Sequence, residues 1–150
     1  ILDEHSLHTD GAGAGEYRGG SGAVRVYRSM NENQTFTASF GRNKWPVWGA
    51  AGGKDGSVNY FQFIDADGTV SEPMGIAARR VMNTNDVVRM VTATGGGYGN
   101  PFKRPAEKVA MDVKNEYITV EQAKADYGVL VDPETFKVLG LTEERQKAEK

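Results

Sequence analysis

The sequence predicts an α+β domain that is mainly β: an antiparallel sandwich or barrel-like assembly with a few helices at its carboxy-terminal end. Three observations predict it. Apolar and polar residues alternate with a period of two through the first two thirds, the pattern of half-buried strands. Glycine, 19 of 150 residues, is used at nearly twice its average frequency and gathers at the ends of those runs, where it permits tight turns and close backbone approach. From Pro105 onward the apolar period lengthens to that of a helix.

Val24 and Val26 alternate with Arg25 and Tyr27, and Phe36, Ala38 and Phe40 alternate with Thr35, Thr37 and Ser39. Two strands are expected there, joined as a hairpin through the polar turn Asn31-Glu32-Asn33. The aromatic run Asn59 to Ile64 is followed by the turn residues Asp65-Ala66-Asp67-Gly68 and by Thr69-Val70, which predicts a second hairpin. Val87 to Thr92 reads as a further strand that runs into the glycine cluster at Gly95. Ala106, Val109, Ala110 and Val113 then fall at i, i+3, i+4 and i+7, with Pro105 as first helical residue. A second, short helix is expected with Thr119 and Gln122 as a capping box, Val120, Ala123 and Tyr127 on one face, and Gly128 as a left-handed C-terminal cap. Val129-Leu130-Val131, the turn Asp132 to Thr135 and Phe136-Lys137-Val138 predict a small hairpin, after which Thr142 caps a charged terminal helix that frays toward Lys150.

No internal repeat or low-complexity linker divides residues 1–150, so they are read as one domain, a length that buries roughly two thirds of its unfolded surface. A formal net charge of −2 with scattered lysine and arginine gives no footprint for nucleic acid or an anionic membrane, and no apolar run approaches the length of a membrane span. Zero cysteines exclude disulfides, thiolate ligands and a cysteine nucleophile. A cytoplasmic location is the default expectation. Because the chain opens at Ile1 within an interior-like sequence, a fragment or processed subunit is expected.

The glycine clusters are not nucleotide motifs. Gly53-Lys54 is followed by Asp55, and Trp48 stands where a phosphate-binding loop needs its leading glycine; Gly11 and Gly13 are followed by Glu16, and Gly95 and Gly97 by Asn100, which breaks the dinucleotide pattern. His5 and His8 with Asp3, Glu4 and Asp10 compose a ligand set on paper. No element is assigned to that stretch, so the proximity is read as chance and no metal site is expected. Gly20-Ser21-Gly22 is a turn-like fragment rather than a nucleophile elbow, and no catalytic residue is assigned. The candidates for substrate or interface contact are Arg18, Gly19, Gly20, Arg42, Trp48, Lys54, Gly95, Gly96, Gly97 and Tyr98. A guanidinium beside glycine or an aromatic wall can hold a carboxylate or stack, and glycine loops can form a backbone lip. The structural alternatives are an inter-loop salt bridge for the arginines, a solvated Lys54, core or interface plugs for Trp45 and Trp48, and a tight strand-to-helix connection for Gly95 to Gly99.

Gly13 to Gly22, Trp48 to Lys54, Asn85-Asp86-Val87-Val88, Thr94 to Pro101, Asp112 to Asn115 and Ala125 to Val129 together resemble, in order and spacing, the carboxy-terminal region of the hydantoinase B/oxoprolinase family. The resemblance covers Leu7 to about Asp132. It departs from the family at Ala12 and Ala14, where a double glycine commonly precedes the glycine–arginine motif. It implies part of an ATP-dependent cyclic-amide hydrolase of the N-methylhydantoinase or 5-oxoprolinase type, or of a related ketone carboxylase. The implied partners are the amino-terminal remainder of the B-type chain and an A-type ATP-binding subunit. ATP and a divalent metal are implied for the complete enzyme, with no cofactor bound by this chain. The family's histidine and aspartate metal motifs lie in the amino-terminal part, so none carries over. A free-standing binding or scaffold module is the alternative, and a small metal hydrolase built on His5, His8 and Asp10 is a third reading.

Overall fold

The computed structural model describes residues 1–148. Four antiparallel strands form the main sheet in the order β1 (Leu2–Leu7), β2 (Ala23–Arg28), β6 (Val87–Val91), β4 (Tyr60–Ile64). Two further strands, β3 (Gln34–Ser39) and β5 (Ile76–Met82), pair antiparallel to each other and lie over this sheet. The alternation in β4 and β6 explains the stacking. Phe61 and Phe63 of β4 and Val88 and Met90 of β6 sit at matched register on one face, and Phe36, Ala38, Ala77 and Met82 from the second layer close over them. Phe36 meets Phe61 and Phe63 edge-on at 5.7 and 5.5 Å, contacts worth about 0.5–1.5 kcal/mol each beyond the area they bury. The mainly β, antiparallel sandwich arrangement is thus present, and no closed barrel forms among the described residues.

The expected hairpin between β2 and β3 is absent. β2 pairs with β1 and β6, and β3 pairs with β5. The cause lies just after β2, where the Ser29 N–H donates to the Asp86 carbonyl and the Asn85 N–H to the Ser29 carbonyl, tying the strand end to the turn that starts β6. Chain that leaves β2 must therefore climb to the second layer. The hairpin after β4 does reverse at Asp65–Thr69, but its returning arm pairs through isolated bridges at Val70 and Met74 rather than as a continuous strand. Pro73, which has no N–H, interrupts that arm. Strands β1 and β5 carry no period-two signal. All six residues of β1 are exposed, and β5 carries a register shift beside Arg79, whose φ is 52°.

The carboxy-terminal elements follow their sequence signals closely. After a 3-10 turn at Pro101–Lys103, α1 spans Ala106–Lys114 and buries Val109, Ala110 and Val113. Pro105 precedes the helix with ψ 133° and so stands one residue before its expected place. Helix α2 (Val120–Tyr127) starts where the Thr119 hydroxyl accepts the Gln122 N–H at 3.1 Å and ends at Gly128 with φ 63°. The capping box is one-sided, because the Gln122 amide reaches the Asp10 carbonyl and Asp126 instead of turning back. β7 (Val129–Val131) and β8 (Val138–Leu141) form a small hairpin around Asp132, its second strand starting two residues later than expected because Phe136 belongs to the turn at φ 54°. The Asp132 carboxylate accepts the Thr135 and Glu134 N–H groups, which holds it below the usual carboxylate range. In α3 (Glu143–Ala148) the Arg145 N–H donates to Thr142 Oγ1; the expected fraying toward Lys150 lies outside the described residues. These elements share a second core of Val109, Val113, Ile118, Ala123, Tyr127 and Val129, to which Ala14 contributes from the amino-terminal half.

Candidate functional site

Three loops meet between the two cores: residues 11–22 before β2, 48–56 before β4, and 94–99 after β6. Their backbones interlock. Gly13 N–H donates to Gly95 O, Gly19 N–H to Gly13 O, Gly95 N–H to Gly20 O, and Gly97 N–H to Lys54 O, while Gly97 O accepts from Ala50. Tyr17 and Tyr98 exchange both backbone bonds at 3.0 and 2.9 Å. The glycines serve close approach here more than unusual dihedrals. A Cβ on Gly97 would lie 2.5 Å from the Ala14 carbonyl carbon, and one on Gly96 would lie 2.6 Å from the Trp48 carbonyl carbon. Thr94 fastens the mesh from below, its buried hydroxyl donating to Gly11 O and accepting the Ser57 N–H.

Because these glycine N–H groups already donate to loop carbonyls or to Asp55, and Lys54 Nζ pairs with Asp126 at 2.5 Å, the mesh does not fit a phosphate cradle. The amino-terminal ligand set is dispersed: Asp3 pairs with Arg28 at 2.6 Å, Glu4 accepts from Ser6, and Asp10 accepts the Thr119 N–H. No group of three or more metal-ligating side chains is assembled among the described residues.

What the mesh does present is exposed aromatic side chains, two of them paired. Tyr17 and Tyr98 stand outward at 64% and 58% exposure with ring centroids 6.2 Å apart. Trp48 is 71% exposed, and the Arg42 guanidinium lies 5.8 Å from its ring. Trp45, at 80% exposure, is no core plug either. Apolar side chains of this size that remain exposed on a backbone-locked loop mark an interaction surface more often than scattered single residues do.

Arg18 turns the other way. Its guanidinium donates to Gly19 O and Ser21, stacks 4.7 Å from the Tyr117 ring centroid, and lies 3.6 Å from the Asp112 carboxylate of α1. Arg104 binds the same carboxylate oxygen at 2.8 and 3.0 Å and donates to Glu16 O. Arg145 in turn donates to the Arg104 and Tyr127 carbonyls. Tyr127 lies beneath this network, and burial pushes its hydroxyl up to about 12, opposed by Arg104 and aided by Asp112.

Of the sequence candidates, then, the structure gathers Gly19, Gly20, Gly95, Gly96 and Gly97 into the mesh and sets Arg42, Trp48 and Tyr98 on its outer side. Lys54 has its side chain on α2, and Arg18 points inward to α1. Sequence reasoning did not assign Tyr17, Arg104, Asp112 or Tyr117 to the site. The available signal was Asp112 itself, a carboxylate three residues after Val109 on the buried stripe of an amphipathic helix, where a charge needs a partner.

The class defined by this geometry is an α+β chain with two small cores joined by a glycine-loop mesh that carries exposed aromatic side chains. Residues 1–101 match the hydantoinase B/oxoprolinase family, and the chain belongs to that family. It is 34% identical over 131 residues to an uncharacterized protein of Methanocaldococcus jannaschii, an alignment covering 87% of this chain and 23% of that protein. It is 30% identical over 148 residues to the caprolactamase subunit beta of Pseudomonas jessenii, covering 88% of this chain and 23% of that subunit. The crystal structure of the ATP-dependent caprolactamase from that organism superposes with a TM-score of 0.76 at 29% identity over 99% of this chain and 25% of the other. Nucleotide-free acetone carboxylase shares the fold at a TM-score of 0.75 and 18% identity, over 99% of this chain and 24% of the other. The chain thus spans about a quarter of the length of the relatives it matches.

Proposed function

We propose that this chain is the carboxy-terminal part of a B-type subunit of an ATP-dependent cyclic-amide hydrolase, where the glycine mesh shapes the active-site wall or the subunit interface. The observation that carries the reading is the outward Tyr17–Tyr98 pair, with Trp48 also exposed, on a backbone too closely locked to serve as a mobile linker. Membership of the hydantoinase B/oxoprolinase family and the relationship to a caprolactamase subunit support it.

A ring amide resists hydrolysis because its nitrogen donates into the carbonyl. Phosphorylating the amide oxygen makes the carbon electrophilic and supplies a good leaving group, and this is the step that ATP serves. In this reading an A-type subunit carries out that step with ATP and a divalent metal, and the amino-terminal remainder of the B-type polypeptide holds the reactive groups. The present residues supply rigid shape. The substrate class includes lactams, hydantoins and 5-oxoproline.

The test is ATP-dependent ring opening by the complete assembly carrying Trp48→Ala or Tyr98→Ala. Both side chains are exposed, so the fold is expected to persist, and turnover is expected to fall at least tenfold for one or both. Unchanged turnover in both variants refutes the reading, as does ring opening by these residues alone. The same preparation assayed with a ketone and bicarbonate decides against hydrolysis in favour of carboxylation if only that reaction proceeds.

A further inference from the structure

We infer that Asp112 is a positioning residue for the Tyr17–Tyr98 pair: its buried carboxylate, shared by Arg18 and Arg104, fixes the segment Glu16–Arg18 from beneath so that Tyr17 stands outward against Tyr98. The inference rests on the proposed use of that pair and extends it to a support in the helical lobe, beyond the residues 1–101 that match the family.

The geometry is specific. Arg104 reaches one oxygen of Asp112 with two nitrogens, at 2.8 and 3.0 Å, and its remaining terminal nitrogen donates to the Glu16 carbonyl at 3.0 Å. Arg18 approaches the same oxygen at 3.6 Å. Glu16 is therefore held by this carboxylate through Arg104, while Arg18 lies beside it as a longer ion pair and gives its hydrogen bonds to Gly19 O and Ser21. Tyr17 is tied to Tyr98 by two backbone bonds, but its ring has little to fix it, since that side chain is 64% exposed and its ring partner Tyr98 is 58% exposed. The support continues inward. Arg145 of α3 donates to the Arg104 carbonyl at 2.9 Å and to the Tyr127 carbonyl at 3.0 Å, so the last helix braces the clamp against the end of α2.

Two guanidinium groups on one carboxylate, all three side chains at most 14% exposed, are a poor device for stability alone. Desolvating buried charges costs much of what their attraction returns, and a well-packed apolar cluster does the same work more cheaply. Direction is what the charges add. A planar fork on a fixed carboxylate sets both distance and angle, which apolar packing does not.

Amide hydrogen exchange on the intact protein tests this, with turnover measured beside it. In Asp112→Asn the amides of Tyr17 and Tyr98 are expected to exchange at least tenfold faster, while those of Val88 and Val91 in the central strand stay within about twofold. Unchanged protection at Tyr17 and Tyr98 overturns the inference. If Asp112→Asn loosens the whole chain, Arg18→Gln decides, because it leaves Arg104 and Asp112 as a balanced pair: selective loss at Tyr17 and Tyr98 supports positioning, and its absence overturns it. Selective loss of protection with unchanged turnover keeps the positioning role and refutes the proposed use of the pair.

Discussion

Replacing Gly97 by alanine isolates the physical idea behind the mesh. The added Cβ would lie 2.5 Å from the carbonyl carbon of Ala14 and 2.7 Å from the carbonyl oxygen of Gly13, where real Cβ atoms essentially never come within 3.0 Å. Both obstacles are backbone, so no side chain can swing aside. Relief requires the 11–22 and 94–99 loops to part by roughly half an ångström, a core overpacking that costs about 1–3 kcal/mol. Parting them strains the Gly97 N–H bond to Lys54 O and the Lys54 N–H bond to Ala14 O, at 2.9 and 2.7 Å. Leaving one such buried group unpaired adds about 1–3 kcal/mol, for an expected loss of about 4 kcal/mol. For a chain of this size that is a fall in Tm of about 8–16 °C. Gly20→Ala is the control, since nothing lies within 4 Å of its Cβ, and it is expected within about 0.5 kcal/mol of the parent. Urea unfolding of the pair measures the difference. A gap below about 1 kcal/mol refutes close approach as the reason for the glycine.

Two further outcomes follow from local geometry. Thr119→Ala removes the only side-chain cap described for α2 and is expected to cost about 1 kcal/mol in urea unfolding, with Thr119→Ser restoring most of it. Tyr127 makes alkaline stability its signature. Its native value is raised to about 12 from an ordinary 10.0, so the neutral form is favoured in the fold and the unfolded chain releases the proton first. The stability tied to this group is complete below about pH 10 and falls as pH rises toward 12, by about 1–2 kcal/mol. Tyr127→Phe is expected to lose that part of the pH dependence. At neutral pH it is expected to be no less stable than the parent, because the buried hydroxyl has no hydrogen-bond partner among the described residues, and a loss above about 1 kcal/mol overturns that account.

How much of this was legible in the sequence depends on how local each determinant is. Thr119 and Gly128 delimit α2 through bonds and dihedrals within a few residues, and the structure places both as their types require. Strand partners are different. Val24 and Val26 announce a strand, but whether it pairs with Phe36 or with Val88 is decided by the Ser29 bonds to Asn85 and Asp86, more than fifty residues away. β1 could not be read at all, because a strand exposed along both faces has no need to alternate. At the site, the clustering of glycine was plain while its purpose was divided among three segments, and each segment alone resembled an ordinary turn. Trp45 and Trp48 looked like plugs because their apolar area favours burial. Both rings nevertheless stand outside, and at Trp48 the backbone is packed against Gly96.

The run Gly11-Ala12-Gly13-Ala14-Gly15 shows how the sequence encodes the mesh. Its odd and even positions face different surroundings. On the odd side a Cβ at Gly13 would lie 2.5 Å from the Gly97 nitrogen, and one at Gly15 would lie 2.6 Å from the Tyr98 nitrogen. Only hydrogen fits there. On the even side Ala12 and Ala14 are buried, and the Ala14 methyl joins Val109, Val113 and Tyr127 in the helical core. Alanine at these positions therefore does not loosen the loop. It adds an apolar contact on the one side that has room for a methyl, and it ties the mesh to the lobe that also supplies Asp112. These surroundings fix which substitutions the run accepts: side chains at Ala12 and Ala14 are limited by core volume, a side chain at Gly13 or Gly15 must displace backbone, and one at Gly11 meets the His8 imidazole and the Thr94 methyl.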